Sequence, residues 1–269
     1  MTSLVIIRGG GDLASGVALR LHRAGIRVLV TELEKPTAVR RTVAFAEAVY
    51  SGRIDIEGVV GQRIAKPEEV NPTLDKGEIP VLVDPLLSKL PGLVHEVIVD
   101  ARMTKRAPDV IANAAGILIG LGPGFVAGEN CHAVVETVRG HNLGRVFWQG
   151  SAQADTGVPG SIAQYNKDRV LRAPAAGYVE THAEIGQRLR AGELLAIVSG
   201  KELRAPFDGV LRGLIHPSIE ATPGMKIGDM DPRNDPSFCR RVSDKALAIG
   251  GGVLEALLTR SEIRAKLWV

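Results

Sequence analysis

Apolar and polar positions alternate in two different ways along the chain. The run LVIIR, residues 4–8, is short and β-branched, and predicts a buried strand. Leu13, Val17, Leu21 and Ala24 then recur at helical spacing, and Gly25 supplies a helix stop. A second apolar run, residues 26–33, completes a strand–helix–strand unit of about 30 residues, the size of a βαβ motif. After a looser stretch, residues 80–83, 96–99 and 117–121 read as further strands, each closing on polar or Gly/Pro residues. Residues 131–138 read as one more, with His132, Val134, Glu136 and Val138 on one face. The alternation predicts a Rossmann-like α/β domain with a parallel sheet over residues 1–166.

The second half changes pattern. LRAPAAGYV begins at Leu171 and LRAPFDGVL at Leu203, so a strand, a proline, a glycine and an apolar pair occur twice. Glycine–acid–apolar segments after each copy suit hairpins, because glycine accepts positive φ. Residues 167–232 therefore read as a small all-β domain with quasi-two-fold symmetry. The tail, SDKALAIGGGVLEALLTR, has Ser243 as a cap and Ala246, Ile249, Val253 and Leu257 at helical spacing. This helix, within residues 233–269, is expected to return to the first domain.

The first turn raises the question of chemistry. Gly9, Gly11 and Ala14 fit G-x-G-x-x-A between a strand and a helix, where backbone N–H groups and the helix dipole meet a diphosphate. Gly10 and Asp12 complete the turn, although Asp12 would repel a phosphate or cap the helix instead. Glu32 ends the second strand, about 20 residues on, where an acid commonly bonds a ribose hydroxyl. Asp100, Arg102 and Lys105 follow another strand, and cations there suit an anionic ligand. Arg139, His141 and Asn142 supply a further polar group. The plain alternative for all of them is a tight corner and solvated loops. His132, Glu136 and His141 are too few and too loosely placed for a metal site, so none is expected.

Composition narrows the classes. A net charge of +3 without a basic stripe argues against nucleic acid, and no apolar run approaches the ~20 residues of a membrane span. The N-terminal apolar run is too short for a signal peptide, so a cytoplasmic location is expected. Cys131 and Cys239 lie far apart without a CxxC, which excludes a disulfide scaffold or iron–sulfur ligation and suggests buried apolar thiols. A catalytic Cys131 beside His132 is a weaker alternative, because neighbours on a strand point to opposite faces.

Two resemblances follow. The doubled Ala-Pro-x-x-Gly pattern over residues 170–232 resembles the biotinyl/lipoyl-type barrel-sandwich hybrid fold. There the hairpin VSGKEL offers only Lys201, without the methionine that usually adjoins a modified lysine, so no covalent biotin or lipoate is expected. The segments that begin VIIRGGGDLASG, VETVRGHNLGRV and SDKALAIGGGVLEALL together resemble the YqeB family, and the first half is also similar to XdhC-type maturation factors. The family resemblance implies an accessory or maturation protein of a selenium-dependent molybdenum hydroxylase system. It implies a molybdopterin nucleotide or NAD(P) as cofactor, and the hydroxylase or other maturation proteins as partners. A homo-oligomer is among the assemblies the sequence allows. An NAD(P)-dependent oxidoreductase and a non-catalytic docking scaffold stay open as alternatives, as does whether any bond is made or broken.

Overall fold

The computed structural model describes residues 3–89, 95–104, 109, 116–154 and 167–268. The chain divides into two compact units. One comprises Met1–Pro36, Ala44–Thr156 and Val242–Val269, and the other Thr37–Val43 and Gly157–Arg241.

The larger unit is built on β1 (Leu4–Arg8), α1 (Asp12–Arg23), β2 (Val28–Glu32), α2 (Ala48–Ser51), β3 (Arg53–Ile56), β4 (Val59–Ile64), α3 (Val70–Leu74) and β5 (Ile79–Val83). It continues through β6 (His95–Asp100), β7 (Ile117–Leu121), β8 (Val126–Ala127), β9 (Ala133–Val135), β10 (Val146–Phe147), β11 (Gly150–Ser151), α4 (Asp244–Thr259) and α5 (Ser261–Leu267). Nine of these strands form one sheet in the order β10-β9-β7-β6-β1-β2-β5-β4-β3. Val5, Ile7, Val28, Val30, Val97, Val99 and Ile119 alternate with Leu4, Ile6, Leu29, Ile98 and Leu118, and all are buried. Both faces are therefore covered, which is why the strands read as unbroken apolar runs.

The face of Ile6, Leu29, Leu82 and Ile98 packs with Val70 of α3 and with Phe125, Cys131 and Val134. On the helical layer α4 lies along α1. A Cβ on Gly16 would lie 2.5 Å from Ala246 Cβ, and one on Gly250 would lie 2.8 Å from the Gly16 carbonyl. The glycines of the tail thus serve close helix packing.

The expected parallel, Rossmann-like sheet is corrected to a mixed one. β3 runs antiparallel to β4, and β10 antiparallel to β9, so a hairpin-type pair closes each edge. Helices cannot cover an outer strand on every side, and a reversed short neighbour satisfies its backbone locally.

The smaller unit holds β12 (Val170–Arg172), β13 (Gly177–Thr181), β14 (Arg188–Leu189), β15 (Leu194–Val198), β16 (Lys201–Arg204), β17 (Gly209–Leu214), β18 (Glu220–Ala221) and β19 (Lys226–Asp231). They form two four-stranded antiparallel sheets, β12-β19-β17-β14 and β16-β15-β13-β18. Matching the repeat copies (β12 with β16, β13 with β17, β14 with β18, β15 with β19) turns one order into the other. The biotinyl/lipoyl-like barrel expectation is corrected: each sheet draws strands from both copies and neither closes on itself. The segment Thr37–Val43 is part of this unit, with Arg41 Nε donating to Leu214 O at 2.9 Å and Thr42 Oγ1 to Cys239 O at 2.5 Å.

Candidate functional site

The large sheet grows in two directions from β1, towards β2, β5 and β4 on one side and β6, β7 and β9 on the other. Loops leaving adjacent carboxyl ends diverge where the order switches, and this opens a crevice in α/β sheets. At that switch lie Gly9, Gly10, Gly11 and Asp12 after β1, and Asp100 and Arg102 at the end of β6.

The glycine corner is half closed. Gly9, at φ +92, donates its N–H to Thr31 O at 2.8 Å. The Gly10 N–H donates to Glu32 Oε2 at 2.6 Å, while the Gly10 carbonyl accepts from Ala46 N–H at 2.9 Å and Ser15 Oγ at 3.2 Å. A Cβ on Gly10 would lie 2.8 Å from Ala46 N, so only glycine fits. Gly11 differs: an added Cβ would meet nothing within 4 Å. Its φ of −64 and ψ of 179 suit any residue at a helix N-cap. Asp12 begins α1 and its Oδ1 accepts from Leu13 N–H at 3.0 Å.

Glu32 is buried and turned inward. Its Oε1 accepts from Leu33 N–H at 2.7 Å, so both oxygens hold the turn rather than point to an open ribose position. Burial pushes its carboxyl above the ordinary range, and the hydrogen bonds from Leu33 and Gly10 pull it back in part.

Beside the corner sits an ion network that the sequence did not announce. Arg8, the last residue of β1, is 1% exposed. It donates to Asp100 Oδ2 at 3.3 Å, to Pro85 O at 2.8 Å and to Asp109 Oδ2 at 3.1 Å. Arg102 grips Asp100 through Nε at 2.9 Å and Nη2 at 2.6 Å, and also bonds Asp109. Burial disfavours the charged Arg102, but the bonds to Asp100 and Asp109 outweigh it and raise its pKa. Burial likewise raises Asp109, and the Arg102 and Arg8 guanidiniums more than reverse this, bringing it down to about 2. A charged residue closing the apolar run LVIIR was the available signal for Arg8.

Past Glu32 the edge opens. A polar cleft of about 690 Å³ lies over the ends of β2, β4 and β5, lined by Glu34, Arg63, Ile64, Glu69, Val83 and Lys89 among others. Lys89 Nζ donates to Val83 O at 2.9 Å, and Arg63 Nη1 to Val49 O at 2.7 Å. Asp84, buried below, caps the same loop by accepting from Ser88 and Lys89 N–H groups at 2.9 and 2.8 Å. Two large apolar side chains stand out here, Leu33 at 47% and Leu86 at 73% exposed, one just past β2 and the other past the adjacent β5.

The other predicted residues are dispersed. Arg139 follows β9 and makes a two-armed bond to Asp244, the first residue of α4, at 2.6 Å and 2.6 Å. His141 and Asn142 are exposed in the same loop, with β6 and β7 between β9 and β1. Lys105 lies outside the described residues. His132 and Glu136 do not share a face. His132 sits at the amino end of β9 with Nδ1 accepting from Leu118 N–H at 2.9 Å, whereas Glu136 is buried past the other end, accepting from Thr137, Val138 and Gln153. Cys131 is at that amino end too, packed in the core, and burial pushes its thiol up to about 11. It is a poor nucleophile on the wrong edge. Among the described residues no group of three or more His, Cys, Asp or Glu could hold a metal, and no helix is long and apolar enough to cross a membrane.

No family model matches the chain. Against curated proteins it is 48% identical over 255 residues to an uncharacterized protein YqeB of Escherichia coli K12, covering 95% of this chain. The match supports the YqeB family name. The chain spans about half the length of this YqeB relative, 47%. Because that relative is uncharacterized, the molybdenum and selenium associations, which came from the resemblance alone, find no support and are corrected to the family name only. Solved structures that align include an aspartoacylase family protein from Mesorhizobium loti, with 11% identity, 85% and 84% of the two chains covered and a TM-score of 0.26. A succinylglutamate desuccinylase from a Silicibacter species gives 14% identity, 86% of each chain and a TM-score of 0.24. No activity is carried over at such scores.

Proposed function

We propose that the larger unit binds a nucleotide-containing cofactor along the carboxyl edge of its sheet. The observation that carries this reading is the polar cleft beyond Glu32, together with two solvent-exposed leucines that follow the adjacent strands β2 and β5. A nucleobase has apolar faces and a polar rim. Leu33 and Leu86 offer apolar surface, and Glu34, Arg63 and Lys89 offer partners for the rim. The diphosphate lies over Gly11, where the backbone is open above the first turn of α1 and the helix dipole favours an anion. Arg102 is the cation within reach, and a phosphate would take over its bond from the exposed Asp109. Gly10 and Glu32 do not touch the ligand in this reading. They hold the corner in shape.

Both cofactor types implied by the resemblance, NAD(P) and a molybdopterin dinucleotide, carry this diphosphate. Calorimetric titration with NADH, NADPH and a molybdopterin dinucleotide separates them. Binding at micromolar concentration is expected for one, and affinities all weaker than about 1 mM would sink the proposal. A preference for the molybdopterin dinucleotide is the outcome that would return weight to a maturation role. Gly11→Leu sharpens the test. It should fold, at a cost limited to about 1 kcal/mol of cap preference, and lose binding because its side chain occupies the phosphate position. Unchanged binding by Gly11→Leu would move the ligand elsewhere.

A further inference from the structure

The smaller unit buries more positive than negative charge at one point. Asp229 and Asp231 on β19 each have a dedicated arginine. Arg169 Nη2 donates to both Asp229 oxygens at 3.0 and 3.2 Å, and Arg233 donates to Asp231 through Nε at 2.9 Å and Nη2 at 2.6 Å. Arg212 is then surplus. It is 7% exposed, and its nearest carboxylate atoms are at 3.6 Å (Asp229) and 3.7 Å (Asp231), beyond hydrogen-bond length. Its Nε is fully buried without a hydrogen-bond partner, and Nη1 is held only by the long ion pair to Asp229.

The backbone explains how this side chain came to be aimed. β17 pairs with β19 through a register shift between Leu211 and Gly213, so Arg212 is the extra residue of a bulge. Bulges redirect a side chain out of the ladder. Gly213 lets Val39 and Arg40 lie directly on the strand, since a Cβ there would be 2.7 Å from Val39 O. That brings the buried Arg40, itself donating to Phe238 O and Arg241 O at 3.2 and 3.1 Å, close to Arg212. Burial, and then the Arg40 charge, push the Arg212 pKa down, against the opposing pull of Asp229 and Asp231. A buried charge without a full partner is costly and is relieved by a counter-ion.

We infer that the smaller unit holds a small oxyanion, of the phosphate or carboxylate class, on the guanidinium of Arg212. The planar fork formed by Nη1 and Nη2 matches two oxygens of such an anion. The site belongs to the smaller unit alone and stands or falls apart from the cofactor reading.

The test uses the full chain in phosphate-free buffer, with inorganic phosphate, sulfate, succinate and chloride added at equal ionic strength. Saturable calorimetric binding and a rise in Tm with an oxyanion, and not with chloride, are expected. The strongest of phosphate, sulfate and succinate names the ligand class. Arg212→Lys keeps the charge but not the fork, and should weaken that binding at least about tenfold. Without anion, Arg212→Met should be as stable as the parent or more so, because it removes a surplus charge from between satisfied aspartates. No saturable binding by the unmodified chain below about 10 mM overturns the inference whatever the variants do. So does a Tm loss in Arg212→Met without anion, which would mark Arg212 as a needed counter-ion for Asp229 and Asp231.

Discussion

Asp109 reaches back to Arg8 and Arg102 from an otherwise exposed position, and it should report on the ion network under acid. Its folded-state pKa of about 2 lies below the ordinary 3.8. A depressed carboxylate contributes stability above its ordinary pKa, and that contribution is lost as pH falls through 3.8 towards about 2. Asp109→Asn should therefore flatten the decline in unfolding free energy between about pH 5 and about pH 2, by a small amount because the group is largely in water. Parallel declines in parent and variant would dismiss the pairing. At this scale the sequence was informative about position and silent about direction. Glu32 stands where spacing puts it, at the end of the second strand, yet its carboxylate bonds inward to Gly10 and Leu33. Spacing along a strand does not say which hydrogen bond wins. Arg8 was hidden because its partners, Asp100 and Asp109, are far along the chain.

Among the elements, α4 offers a test with opposite signs at neighbouring positions. Gly250 lies against α1, whereas a Cβ on Gly251 would meet nothing within 4 Å. Gly250→Ala should cost about 1–3 kcal/mol by overpacking. Gly251→Ala should stabilise the chain by up to about 1 kcal/mol through helix propensity. Thermal unfolding measures both, and equal effects would mean that the two helices do not approach as described. Local patterns carried β1, α1, β2 and the Ser243 cap of α4, because each is decided within a few residues. The hairpin of β3 and β4 escaped notice. Its turn uses Glu57 at φ 52 beside Gly58, an unusual residue for that conformation. Gly61 also interrupts β4, and the reason lies far away: Phe45 packs onto it, 2.5 Å from where a Cβ would be. The mixed sheet could not be read without that hairpin.

For the molecule as a whole, the telling feature is the short segment Thr37–Val43, which belongs to the smaller unit although it is flanked by the larger. The piece 157–241 expressed alone lacks Arg40, Arg41 and Thr42 and their bonds to Phe238, Leu214 and Cys239. It should lose cooperative thermal unfolding, as followed by circular dichroism. A sharp transition in the isolated piece would show the segment to be dispensable. Immediately after it, the chain returns to put Ala46 N–H on the Gly10 carbonyl. During synthesis, residues 37–43 leave the ribosome long before β17 and residues 236–239 exist to receive them. The larger unit likewise waits for α4, made after the whole of the smaller unit, to cover α1. The larger unit therefore cannot be finished until the smaller one has been translated, so a nascent chain must keep its first βαβ segment soluble and uncommitted until α4 has emerged.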